Sequence, residues 1–530
     1  MKRSVCSVLL ISILLLLQPF DAAGQEVNDS FKGALKKYVV AVLDTFHVPG
    51  MSVAIVKDGE RVLAKGYGIK EMGKGEEVDK HTLFPVASNT KAFTATALGL
   101  LVESGELGWD QPVIKYLPWF RMGNPYVTKH LTVRDLLVHR SGLSPYAGDL
   151  LWFPNTDYSR REIAHKIQYL PLDTSFRSGY AYDNVLYMVA GVLIEEVSGQ
   201  PWEAFVQERI LKPLEMNGSI NRISTLVDRP NRAAPHARID GELRPIQGYL
   251  DWGLNDATNP AGGIASNAVD MSRWMITQLD SGRVATGQRL FKPETTEELW
   301  SGVTPMDVEK VPESLEPSQS DFNLYGLGFR ISDYRSYKTV THRGVLEGFV
   351  SRVMLVPDLN LGISILTNQE SKYAIRAILN HILDYYMEAP EYNWIAPYKM
   401  QEEEQLKKIK ATERQTAAER DTTSTPSLPL SEYAGTYYDK WYGKVTVELE
   451  GDHLVMRFTH TPEMVGDMEY WQYDSFIVRW RNRDLNADAY VNYSLNEAGT
   501  VDRIKMKAIS PATDISYDFR DLLLKPDKKN

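Results

Sequence analysis

The chain has 530 residues, a formal charge of −10 and a pI near 5.6, with 43% hydrophobic and 24% charged residues. That length exceeds one ordinary domain and the composition is globular, which excludes a disordered or collagen-like chain. The acidic balance disfavours nucleic acid or an anionic membrane as partner.

Residues 1–24 read as an export signal. Lys2 and Arg3 precede an apolar run from Val8 to Leu17, and Ala22-Ala23-Gly24 supplies small residues for cleavage, so the mature chain is expected to start near Gln25 and to be periplasmic or secreted. An uncleaved anchor is the rival reading. The sole cysteine, Cys6, lies inside this segment, which leaves the mature protein no disulfide framework and no cysteine nucleophile. No stable membrane insertion is expected after cleavage.

Residues 25–390 read as one α+β body. Met51–Val56 and Arg61–Ala64 flank Asp58-Gly59, a hairpin signature. The stretch from Ser88 to Glu103 carries apolar residues at helical spacing and stops at Gly105. Leu131–His139 and Asn184–Val197 are expected as two more helices, closed by Gly142 and Gly199. Ser266 is expected to cap another that ends before Gly282. Thr339–His342 running into Gly344, then Phe349–Pro357 and Leu361–Thr367, read as strands. Strands at both ends with helices between predict an antiparallel sheet flanked by helices, with a helical cluster inserted.

Residues 391–430 form a charged helix, Tyr398–Arg420, followed by a Thr/Ser/Pro linker. From 431 to 530 alternation predicts a small all-β domain, with Val445, Val447 and Leu449 facing Leu454, Met456 and Phe458 across Gly451-Asp452. Its concentrated Tyr and Trp are expected to fill a small barrel rather than to bind a ligand. The pattern does not decide whether this domain covers an active site or mediates oligomers.

The chemistry-bearing signal is Ser88-Asn89-Thr90-Lys91, which holds the only serine followed by lysine three residues on. At that spacing on a helix the hydroxyl and the amine share a face. A serine needs a base to become a nucleophile, and a lysine buried away from water becomes one. Tyr182-Asp183-Asn184 stands at a loop-to-helix junction, where Tyr182 can move a proton and Asn184 can bond a substrate carbonyl. His342-Arg343-Gly344 lies on a strand, where Gly344 is expected to admit close approach of a substrate backbone. Asp183 reads as a helix cap, His139 as a structural helix-end residue. The ten histidines include no His-x-x-x-His pair and no phosphate-cradling loop follows a strand, so neither a metal nor another cofactor is expected.

With these three motifs in order, residues 28–390 resemble the serine β-lactamase and penicillin-binding-protein superfamily, in the branch of class C β-lactamases, D-aminopeptidases and related esterases. Leu131–Leu143 and Pro260-Ala261-Gly262-Gly263 also look like family landmarks. The segment opening Tyr433-Ala434-Gly435-Thr436-Tyr437 is similar to the lipocalin-like domain appended to some members. The resemblance implies an acyl-enzyme on Ser88, proton transfer by Lys91 and Tyr182 with Tyr182 as the base for deacylation, and an oxyanion hole from the N–H groups of Ser88 and Val345. It implies that Asn184 orients the substrate. His342 stands where the family often has lysine, and is expected to be half-titrated near neutral pH. Arg343 replaces a small hydroxyl residue, and both changes weigh against efficient penicillin hydrolysis. Arg343 either reaches the pocket or, by strand alternation, points away. The expected activity is hydrolysis of small esters, amides or peptides by an exported enzyme that is free to oligomerise. A true β-lactamase or DD-carboxypeptidase, and a non-catalytic acyl-binding scaffold, stay open as alternatives.

Overall fold

A computed structural model describes residues 20–239 and 241–527, with side chains from Asp29 onward. The predicted signal segment falls outside this range except for the main chain of 20–24, which lies in the first helix, α1 (Phe20–Phe46).

Strands β1 (Gly50–Lys57) and β2 (Glu60–Gly68) meet at Asp58-Gly59, where both residues have positive φ (53° and 81°), the geometry of the tight hairpin turn that this dipeptide favours. They join β3 (Thr304–Pro305), β4 (Asn323–Tyr325), β5 (Arg330–Tyr334), β6 (Tyr337–Leu346), β7 (Phe349–Val356) and β8 (Leu361–Thr367). The sheet order is β2-β1-β8-β7-β6-β5-β4-β3, so the two chain ends of this body lie side by side through antiparallel β1 and β8. One face carries Val53, Ile55, Val350, Met354 and Ile363 beneath α1 and α5 (Lys372–Tyr386). The other carries Ala54, Val353 and Leu355 toward the inserted helices, including α2 (Thr90–Glu103), α3 (Val185–Ser198) and α4 (Ala268–Leu279).

Two local expectations change. Residues 131–139 hold only a single 3₁₀ turn, Arg134–Leu136. The Asp135 carboxylate takes the N–H and hydroxyl of Thr132 and pairs with Arg140 and Arg177, so local and tertiary bonds replace a helical ladder. The cap of α4 is Asn267, whose Oδ1 accepts the N–H groups of Val269 and Asp270, while Ser266 pairs with Phe84 in a short two-stranded sheet.

Past the charged helix α6 (Ile395–Ala418), the C-terminal region builds β9 (Gly435–Asp439), β10 (Gly443–Glu450), β11 (His453–Phe458), β12 (Val465–Gln472), β13 (Ser475–Trp480), β14 (Ala489–Leu495), β15 (Val501–Ala508) and β16 (Lys525–Pro526). The order β15-β14-β13-β12-β11-β10-β9-β16, with Ile504 of β15 bonded to Leu524 beside β16, makes a nearly closed antiparallel barrel, as a lipocalin-like domain requires. Tyr433, Tyr442, Trp480 and Tyr493 are buried inside it, so the aromatic richness packs a core. That core is continuous with the helical side of the α+β body, through contacts such as Phe153 edge-on to Tyr517 at 5.1 Å.

Candidate active site

Ser88 sits half-buried on a 3₁₀ turn, Ala87–Asn89, that leads directly into α2. The turn is pinned from both sides. Val86 N–H bonds Ile264 O at 2.9 Å, Asn89 Nδ2 donates to Ser351 Oγ at 2.7 Å, and Ser351 Oγ donates to Val86 O at 2.6 Å. Ala87 has φ of +48°, a left-handed conformation that costs a residue with a Cβ roughly 1 kcal/mol. Such strain persists only where surrounding contacts over-determine it, and here it presents the serine.

One turn further on, Lys91 is fully buried. Its Nζ lies 3.2 Å from Ser88 Oγ and bonds Asn184 Oδ1 at 2.7 Å and Ala261 O at 3.0 Å. Burial pushes its pKa down to about 7, partly offset by the carboxyls of Asp149 and Asp183 and reinforced by Arg330. The Tyr182 ring lies 4.9 Å from Nζ, and its hydroxyl bonds Ser88. Burial holds the Tyr182 pKa well above its ordinary value, so this phenol is neutral at rest. The sequence therefore brings Ser88, Lys91, Tyr182 and Asn184 together.

Asp149 is a carboxylate that motif reading misses. It receives Asn184 Nδ2 at 2.8 Å and Trp152 Nε1 at 2.9 Å, and burial raises its pKa to about 7. Asn184 is thus clamped between Lys91 and Asp149. Asp183 precedes the N-cap of α3, which is Asn184, rather than capping the helix itself; its Oδ2 accepts the Ser141 hydroxyl at 3.5 Å, and burial likewise pushes it to about 7. His139 ends no α-helix; it lies buried beneath the site, accepts the Asp183 N–H at Nδ1 and packs 4.3 Å from the Tyr182 ring.

The third motif lies on β6. His342 is buried, with Nδ1 2.8 Å from Arg343 O and Nε2 2.9 Å from the Tyr325 hydroxyl. A carbonyl only accepts, so Nδ1 carries the proton and Nε2 accepts from Tyr325. Burial, with Arg330 and Lys91 nearby, holds His342 well below its ordinary pKa. The expected half-titrated group is instead a neutral one. At Gly344 a Cβ would stand 2.1 Å from Val86 O and 2.9 Å from the Ala87 Cβ. The close approach that this glycine admits is that of the chain's own nucleophile turn.

Leu346 and Phe349 flank the two-residue turn between β6 and β7 and form a hydrogen-bonded pair. Alternation makes Val345–Val350 the non-hydrogen-bonded pair, so the Val345 N–H faces the free edge of β6, beyond the last β5 pairing at Thr341. Val345 and Ser88 both line a pocket of about 250 Å³. Arg330, another residue the motifs do not reveal, lines it too and is held by the Tyr180 hydroxyl at 2.8 Å. Arg343 also lines it, although alternation along β6 sends its side chain from the sheet face opposite to that of His342 and Gly344.

The remaining wall comes from the C-terminal barrel, through Asp514, Ile515 and Ser516. Ser516 Oγ donates to Asp149 Oδ2 at 2.9 Å, the Gly148 N–H to Asp518 Oδ2 at 2.8 Å, and Ser144 Oγ to Asp521 Oδ2 at 2.7 Å. The barrel therefore covers the site, the question that alternation left open. Among the described residues no group of three or more His, Cys, Asp or Glu side chains is placed to hold a metal ion.

A serine hydroxyl beside a buried lysine and a tyrosine, at the edge of an antiparallel sheet, is the arrangement of a serine hydrolase of the β-lactamase-like fold. The Beta-lactamase family model matches residues 35–384, and the chain belongs to that family. Residues 419–526 match a domain of unknown function, DUF3471. Among curated proteins, the unguisins hydrolase ungD' of Aspergillus campestris is 28% identical over 450 residues, covering 81% of this chain and 79% of that protein. Protein flp of Staphylococcus aureus strain N315 is 26% identical over 374 residues, covering 70% and 69%. Among solved structures, the octameric penicillin-binding protein homologue of Pyrococcus abyssi superposes with a TM-score of 0.59 at 22% identity, covering 90% of this chain and 98% of its own. The D-amino acid amidase of Ochrobactrum anthropi SV3, complexed with L-phenylalanine amide, gives 0.53 at 22% identity, covering 67% and 98%.

Proposed function

We propose that this chain is an exported serine hydrolase that cleaves small esters, amides or peptides, including those with D-amino acids, through an acyl-enzyme on Ser88. The observation that carries the reading is a serine hydroxyl 3.2 Å from an amine that is fully buried and held at a pKa of about 7. Neutral Lys91 accepts the Ser88 proton, directly or through the Tyr182 hydroxyl, as Oγ attacks the carbonyl. The oxyanion is met by the N–H groups of Ser88 and Val345, each a contribution of roughly 3 kcal/mol.

Lys91, now protonated, returns the proton to the leaving group through Tyr182, and the same route in reverse activates water for deacylation. Because Tyr182 is neutral at rest, its part in deacylation is a relay rather than a standing anionic base. Asn184 keeps one amide N–H free of Asp149 and lines the pocket, so it can hold the substrate carbonyl region. The hydrolase name borne by the Aspergillus relatives supports hydrolysis as the reaction class. Among the described residues no helix is long and apolar enough to cross a membrane.

The test is pre-steady-state hydrolysis of p-nitrophenyl acetate by the mature protein and by Ser88→Ala. A burst or steady turnover that disappears in the variant is expected. Equal activity in both, or none in either, would remove Ser88 as nucleophile toward simple esters. Turnover of a chromogenic cephalosporin at a comparable rate would move the reading to a β-lactamase.

A further inference from the structure

Arg343 and Arg352 are register partners across β6 and β7. By the alternation that frees the Val345 N–H they form a non-hydrogen-bonded pair, in which side chains stand closest. Both project from the sheet face shared by Val350 and Met354, opposite to the face of His342 and Gly344. Like charges directly opposite each other destabilise a sheet. A third guanidinium, Arg376 on α5, lines the same cavity of about 200 Å³, together with Lys372, Ser318 and Ser320.

Among the described residues no carboxylate pairs with Arg343, Arg352 or Arg376, and the Arg352 Nε is buried with no hydrogen-bond partner. Of the surrounding acids, Asp514 feels the Arg343 charge without forming an ion pair with it. Asp333 spends its Oδ1 on the N–H groups of Asp321 and Phe322, while Asp307 and Glu309 stand exposed on the adjoining rim. The cavity is not isolated from the chemistry: Arg343 lines both it and the Ser88 pocket, and an adjoining groove of about 400 Å³ is lined by Arg330 together with Arg343, Arg352 and Arg376.

From this geometry we infer that Arg343, Arg352 and Arg376 form a binding site for an oxyanion, a carboxylate or a phosphate, at the end of a cleft that begins at Ser88. Planar guanidiniums with several free N–H groups match such anions by paired hydrogen bonds. An anion placed between them also removes the repulsion that the bare pair carries. Burial, joined by the neighbouring guanidiniums of Arg376, Arg343 and Arg330, pushes the Arg352 pKa down, and an anion would oppose that shift. The anion is either a part of the substrate, reaching past the scissile bond, or a free ion that sets the cleft's charge.

Two readouts on the full chain separate these sources. In the first, inorganic phosphate is titrated against the melting temperature of wild type, Arg376→Gln and Arg352→Gln. In the second, the ratio of kcat/KM for p-nitrophenyl hemiglutarate to that for p-nitrophenyl acetate is compared across the same proteins. A phosphate-dependent rise in melting temperature that both variants lose, with an unchanged ester ratio, assigns the site to a free anion. A ratio that falls about tenfold in either variant, the size expected for one lost charge-assisted hydrogen bond, assigns it to the substrate. No phosphate response in wild type together with an unchanged ratio overturns the inference. The second readout rests on the acyl-enzyme proposal and the first does not, so an inactive protein would leave the melting measurement to decide alone.

Discussion

Replacing Lys91 by arginine isolates the one property on which the mechanism depends. A lysine at its ordinary value of 10.5 is neutral in only about one molecule in 3,000 at pH 7. Held at about 7, Lys91 is neutral in about half. Burial thus raises the population of free base by roughly a thousandfold, equivalent to about 4 kcal/mol at that pH. Arginine keeps the positive charge and much of the volume but does not give up its proton in this range. The burst rate of p-nitrophenyl acetate in Lys91→Arg should therefore fall by about a thousandfold or more. In the wild type, kcat/KM should rise with pH through about 7, since the protonated form on the acid side cannot accept the Ser88 proton. Asp149 and Asp183 titrate in the same range, so the limb reports the set rather than one group. A flat profile from pH 5.5 to 8.5, with Lys91→Arg within tenfold of wild type, would refute the argument.

Three further outcomes follow from the same geometry. Gly344→Ala should cost at least a hundredfold in acylation, because its Cβ would fall 2.1 Å from Val86 O and displace the Ser88 turn; burst rate checks it, and a loss below fivefold would contradict the packing. His342→Gln should leave the acid limb of kcat/KM near pH 7 where it is, since burial holds this imidazole well below its ordinary pKa and neutral there; a limb that moves by a full pH unit would show that His342 does ionise in that range. Ser516→Ala should lower kcat/KM by roughly fivefold with a smaller change in melting temperature, reflecting one hydrogen bond of about 1 kcal/mol removed from Asp149; equal ester kinetics would mean the barrel loop does not tune the site.

The local motifs were legible because each is short and carries its own chemistry. Ser88 with Lys91 could be read from spacing, and the β6 and β7 strands and the Asp58-Gly59 turn from local pattern, while the joint roles of Tyr182 and Asn184 came with the family resemblance. What escaped was whatever depends on distant segments meeting. Asp149 lies 35 residues from Asn184 and 367 from Ser516, and no pattern announces either bond. The helix expected at 131–139 has the right apolar period, yet Asp135 binds the Thr132 main chain and two arginines instead. The ionisation of His342 was likewise a matter of burial, which residue type does not encode.

A catalytic cleft whose last wall comes from a module 330 residues downstream of Asn184 separates two kinds of change. The loop through Asp514 and Ser516 touches Asp149 but not the Ser88–Lys91 pair, so changes in its sequence tune the rate while leaving the nucleophile and its base in place. Exchanging barrels between related chains is then a route to new substrate preference without rebuilding the nucleophile.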